Sequence, residues 1–150
     1  MMKTAEVILS DLIHSSLQLD EQEFINMANK LSQIKNKHIS FICEPDYHFI
    51  TADFISCLNQ KGFHCDFFQD SVTDDILFVI ETATLQINLP TCQNIFSISI
   101  YPHSFVDELS SHSIHLCKSQ NNFDLSFLNI INYKQMIMLI FDSLLVIMNE

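Results

Sequence analysis

Two short stretches hold most of the residues in this chain that could do chemistry. Glu44-Pro45-Asp46-Tyr47-His48 sets two carboxylates, a phenol and an imidazole within a single turn, and Glu81-Thr82-Ala83-Thr84 adds a carboxylate and two hydroxyls. Acids grouped with an imidazole suit a cation or an amine, or a histidine acting as a base, and the hydroxyls suit a polar ligand. The competing reading is local: acids beside helix starts cap them, and a lone histidine there is as readily a solvated or capping group. His103, His112 and His115 lack a ligand spacing such as H-x-x-x-H, and no metal site is expected. Five cysteines (Cys43, Cys57, Cys65, Cys92, Cys117) include no C-x-x-C pair and read as small buried residues in a reducing compartment. Neither Ser10 nor Ser104 sits in a nucleophile-elbow context, so no catalytic nucleophile is nominated and no cofactor is implied.

Charge narrows the classes of partner. The seven basic residues are all lysines against eighteen acids, a net charge of -11. A nucleic-acid surface needs clustered cations to displace phosphate counterions, which argues against direct nucleic-acid binding. The N-terminus carries Lys3 and Glu6 inside a helical pattern and lacks the apolar run and cleavage site of a secretion signal. The longest apolar run, Met136 to Met148, is interrupted by Asp142-Ser143 and is too short to cross a bilayer. A cytoplasmic protein is expected. A chain of 150 residues, 48% of them hydrophobic, suits one domain spanning 1–150 with a large core.

Periodicity then places the elements that must position those turns. A first helix is predicted over Thr4 to Leu17. A second starts at Asp20, with Glu23 placed to reach back in a capping box, Leu19 and Phe24 in the staple positions, and Phe24, Met27, Ala28 and Leu31 as its apolar stripe. Strands are predicted over Ile39–Cys43, Cys65–Phe68, Ile76–Ile80, Ile95–Ile100 and Ser113–Cys117. Helices are predicted over Phe49–Gln60, closed by Lys61-Gly62, and over Ser104–Ser110. One or two helical turns fit between Glu81 and Asn94. Continuous apolar strands separated by helices imply a parallel sheet covered on both faces. The last helix, about Leu128 to Asn149, is apolar on most of its circumference, which predicts a homodimer packed through it.

The order of these pieces resembles the sugar isomerase (SIS) domain, in the form found at the C-terminus of RpiR-type transcription regulators. The resemblance covers nearly the whole chain. It rests on Leu19-Asp20-Glu21 between the entry helices, Ile39-Ser40-Phe41-Ile42, Ala52-Asp53-Phe54 with Leu58 and Lys61-Gly62, Thr73 to Ile80, and Phe141-Asp142-Ser143-Leu144. It implies an α/β three-layer sandwich with a five-stranded parallel sheet of flavodoxin-like type, two N-terminal helices and a long C-terminal helix. The family's helix-turn-helix would precede Met1 and is absent from this chain.

The resemblance also implies phosphosugar-binding turns, and here the sequence departs from it. The family's glycine-x-glycine-x-serine turn falls on Cys43 to Tyr47, and Gly62 is the chain's one glycine. Proline removes a donor and two acids repel phosphate where backbone amides should cradle it. Glu81 stands where a serine is expected after the third strand.

The leading expectation is therefore a noncatalytic ligand-sensing and dimerisation domain of an RpiR-like regulator. Its ligand is a small sugar derivative, met by Glu44, Asp46, Tyr47, His48, Glu81, Thr82 and Thr84, with phosphate binding weakened or lost. The alternatives are an assembly module that keeps only the fold, and an active sugar-phosphate isomerase.

Overall fold

The computed structural model describes residues 20–69, 76–82, 94–116 and 130–149, and the side chains of 130–133 lie outside that description. Helix α1 (Glu21–Gln33) starts where the Asp20 carboxylate accepts a hydrogen bond from the Gln22 amide at 2.9 Å. Its buried residues are Phe24, Met27, Ala28 and Leu31, the expected stripe. Strand β1 (His38–Ile42) runs into a 3-10 turn, Pro45–Tyr47, which leads directly into α2 (His48–Gln60). Gly62 ends α2 at φ +97°, the left-handed conformation that a Cβ disfavours. The amides of Gly62 and Phe63 return to the Asn59 and Leu58 carbonyls and satisfy the last turn.

Strands β2 (His64–Phe67), β3 (Ile76–Ile80), β4 (Asn94–Ser99) and β5 (His112–His115) complete a five-stranded sheet in the order β2-β1-β3-β4-β5, parallel throughout. Helix α3 (Phe105–Leu109) links β4 to β5, and α4 (Ile130–Met148) closes the chain. Four of the five strands begin one residue before the expected position, because apolar periodicity does not mark where the ladder is joined. The helix predicted over Thr4–Leu17 and the turns predicted between Glu81 and Asn94 lie outside the described residues, apart from Glu81, Thr82 and Asn94 themselves.

Two apolar layers sandwich the sheet. On one face α1, α2 and α4 pack over Ile39, Phe41, Phe78, Ile80, Phe96, Ile98 and Ile114. Phe41 stacks on Phe78 at 4.9 Å, and Phe54 of α2 stacks on Phe141 of α4 at 4.2 Å. On the other face Ile42, Leu77, Val79 and Ile95 pack with Val106 of α3. β3 lies in the middle, and all five of its residues are buried, as a strand covered on both sides requires.

Five apolar side chains of α4 are consumed inside the chain. Met136, Ile137, Ile140, Phe141 and Leu144 are buried, and the exposed large apolar side chain among the described residues of this helix is Met138. No helix of the described residues is long and apolar enough to cross a membrane.

Candidate functional site

Open parallel sheets bind ligands beyond the C-terminal ends of their strands, where the strand order reverses. Here the chain leaves β1 towards β2 on one side, while β3 lies on the other. The register pairs Ile42 with Val79, so the turn after β1 and the turn after β3 emerge side by side. The sheet thus brings Glu44, Asp46, Tyr47 and His48 beside Glu81 and Thr82. Thr84 lies outside the described residues.

The turn after β1 is built differently from a phosphate cradle. Pro45 opens the 3-10 turn and has no amide hydrogen; the Tyr47 amide donates to the Glu44 carbonyl at 2.9 Å, and the His48 amide donates to the Pro45 carbonyl. Two of the N–H groups at the head of α2, those of Tyr47 and His48, are thus closed into the turn itself. Glu44 is half-buried and Asp46 exposed. Tyr47 is buried, and burial together with the Glu44 and Asp46 charges pushes its phenol above the usual range. Burial also raises the Cys43 thiol, with the Glu44 charge adding to the rise. His48 is exposed and lies flat on Phe67, ring centroids 4.2 Å apart and planes 11° from parallel.

One contributor at this edge escapes a sequence reading. Lys134 of α4 brings its ammonium to 5.9 Å from the Tyr47 ring centre, a cation–π contact across 87 residues of sequence. No local pattern marks a lysine for that distance. The Thr82 hydroxyl, a candidate from the sequence, is buried and has no hydrogen-bond partner among the described residues, the kind of orphan group that a bound polar molecule or water satisfies.

Glu81 occupies the same edge and faces the other way. Its carboxylate is buried: Oε1 accepts from the Ile100 amide at 3.1 Å and the Ser104 hydroxyl at 2.6 Å, and Oε2 accepts from the Val106 amide at 3.3 Å. It ties the end of β3 to the start of α3. Ser104 serves twice, since its oxygen also accepts from the Asp107 amide as the helix cap.

The ends of β4 and β5 hold a second polar group. His115 Nδ1 meets Glu23 Oε2 at 2.5 Å and its Nε2 meets Asp107 Oδ1 at 2.8 Å; the His115 amide donates to Glu23 Oε1 at 2.9 Å. An imidazole flanked by a carboxylate at each nitrogen is held as the cation with both nitrogens donating. Burial alone would lower its pKa, but the hydrogen bonds and charges of Glu23 and Asp107 raise it to about 9. Burial works against Asp107 ionisation too, yet hydrogen bonds from His103, Ser113 and His115 hold Asp107 below its usual value.

This arrangement corrects the capping-box expectation. Glu23 does not close the box at Asp20, because both its oxygens are taken by His115, 92 residues away. Among the described residues no group of three His, Cys, Asp or Glu side chains is placed to hold a metal ion.

No protein-family model matches the sequence, and no curated protein matches it. Solved structures do. A candidate sugar-phosphate isomerase from Listeria monocytogenes superposes with TM-score 0.63 at 13% identity, over 94% of this chain and 89% of that one. A hypothetical protein of Methanococcus jannaschii, whose structure infers a molecular function of 3-hexulose-6-phosphate isomerase, gives 0.62 at 19% identity over 99% and 87%. The Vibrio vulnificus NanR protein complexed with ManNAc-6P gives 0.60 at 12% identity, over 95% of this chain and 60% of that protein. The chain has the α/β fold of these SIS-type proteins, all-parallel sheet and long C-terminal helix included.

Proposed function

We propose that this domain is a noncatalytic sensor of a small sugar-derived ligand, seated over the C-terminal ends of β1 and β3, and serves as the effector part of an RpiR-like transcription regulator. The observation that carries the reading is the turn after β1. With Pro45 lacking a donor and the Tyr47 and His48 amides already bonded, the turn offers a phosphoryl group fewer donors than a glycine-rich cradle would. Glu44 and Asp46 add negative charge at the same place. A ligand here is read through hydroxyl and amine groups by these carboxylates, the Thr82 hydroxyl and Lys134.

The noncatalytic reading draws on the same edge. Isomerising a sugar phosphate takes a firm phosphate grip and a base held over the substrate carbons. Glu81, the acid that ends β3, spends its oxygens on three protein donors and is buried among them. NanR, which shares the fold, is complexed with ManNAc-6P, and this supports a sensing role for the scaffold. Incubating the protein with aldose and ketose phosphates in D2O and following the C1–C2 protons by NMR tests the noncatalytic reading. No deuterium incorporation above the protein-free rate is expected. Incorporation that Glu81→Gln abolishes would overturn it.

Ligand sensing is the function that the geometry supports best, and dimerisation through α4 would have to use the apolar side chains that the helix does not bury within the chain, Met138 among them. A second reading, an assembly module that retains only the fold, has one observation in its favour. Phe49 is 85% exposed and Met138 46% exposed, and they line one groove.

A further inference from the structure

That groove lies between α2 and α4. It holds about 240 Å³ and is lined by Phe49, Ile50, Asp53, Phe54, Met138, Phe141, Asp142 and Leu145. Three contacts fix how its walls run. Tyr47 meets Lys134 at one end, Phe54 stacks on Phe141 in the middle, and Lys61 hydrogen-bonds Asn149 at the other. The two helices therefore lie side by side and point the same way.

Each wall repeats one pattern. Phe49 precedes Asp53 by four residues, and Met138 precedes Asp142 by four, so on each helix an exposed apolar side chain is followed by a carboxylate one turn along. With the α4 pair set one to two residues further along than the α2 pair, the two walls give an apolar clamp and then an acidic one. Partial burial, and then the charge of Asp53, raise the Asp142 pKa, as expected of two like charges facing one groove.

We propose that this groove docks an amphipathic helix of a partner protein, whose apolar residue seats between Phe49 and Met138 and whose lysine or arginine, one turn on, seats between Asp53 and Asp142. Charge complementarity selects that occupant. A cation relieves the repulsion between the two acids and is drawn by a chain of net charge -11. A second copy of this chain is the poorer fit, because it too carries a net charge of -11. The docking mode is helix-in-groove recognition, in which apolar anchors at helical spacing supply affinity and charge sets register. The inference rests on the assembly reading and is independent of the crevice over β1 and β3.

The test uses a fluorescein-labelled, alanine-based helical peptide of about 16 residues with leucine and lysine four apart on one face. Anisotropy titration with the full chain should show saturable binding that weakens about tenfold in the Asp53→Asn, Asp142→Asn double variant and by a similar factor in Phe49→Ser. These positions face solvent, and circular dichroism checks that the variants remain folded. Asp46→Asn, in the crevice, should bind the peptide as the wild type does, which separates failure here from failure of the sensing reading. Absence of binding, equal binding of a peptide with glutamate for lysine, or an unchanged affinity in the double variant would overturn the proposal. So would a homodimer in sedimentation that Phe49→Ser dissociates, since the groove would then belong to a second copy.

Discussion

The two halves of one sheet edge carry similar residues and use them in opposite ways. Over β1 and β3, Asp46 and His48 face solvent, the Thr82 hydroxyl has no partner among the described residues, and a lysine arrives from α4. Over β4 and β5, Glu81, Glu23, Asp107 and His115 are bound to one another's neighbourhood by hydrogen bonds at 2.5–3.3 Å. Polar groups in a low-dielectric setting are costly unless satisfied, so the second half is committed to holding β3, α3, β5 and α1 together. The first half keeps its capacity for a ligand. An acid at the end of a parallel strand is therefore no evidence of a site until its partners are known.

The largest expected effect lies in the closed half. Glu81→Ala strands the Ile100 and Val106 amides and the Ser104 hydroxyl, and should lower stability by about 3 kcal/mol or more in urea unfolding. A loss below about 1 kcal/mol would mean that the two halves do not differ as described.

The histidine contact gives a smaller effect with a defined sign. His115 has a folded pKa of about 9. Against an unfolded value of roughly 6.5, the clip's full contribution is present below about pH 6.5 and is lost as pH rises through about 9. With roughly half of the charge's interaction screened by water, the wild type should lose about 1–2 kcal/mol over that window relative to His115→Gln. Parallel stability curves for the two proteins would remove the charged clip from the account.

The open half should yield the least. Asp46→Asn should shift stability by no more than about 0.5 kcal/mol, as expected at an exposed position with no structural burden. A larger loss would show that this turn, too, is structural.

Local chemistry carried the sequence reading a long way. The stripe of α1, the caps at Asp20 and Ser104, the Gly62 terminus and all five strands depend on residues within a few positions of one another. What the sequence hides is long-range choice of partner. Glu23 stands at a capping-box position, yet His115 offers its carboxylate two donors across the fold, and that interaction prevails. Glu81 reads as a crevice acid because nothing nearby shows that Ile100, Ser104 and Val106 will surround it. Lys134 stays hidden for the same reason. The paired Phe49/Asp53 and Met138/Asp142 spacings are visible in the chain, but only the side-by-side course of α2 and α4 makes them one groove.

The most direct test of the sensing claim is thermal unfolding of wild-type protein and of Asp46→Asn in the presence of amino sugars, neutral sugars and sugar phosphates. A ligand at 100 times its dissociation constant stabilises the fold by about 2.7 kcal/mol. An amino or neutral sugar derivative should raise the wild-type midpoint and do so less for Asp46→Asn, while sugar phosphates gain nothing from their phosphoryl group. Stabilisation that depends on the phosphoryl group, or a flat response to every sugar, would contradict the account.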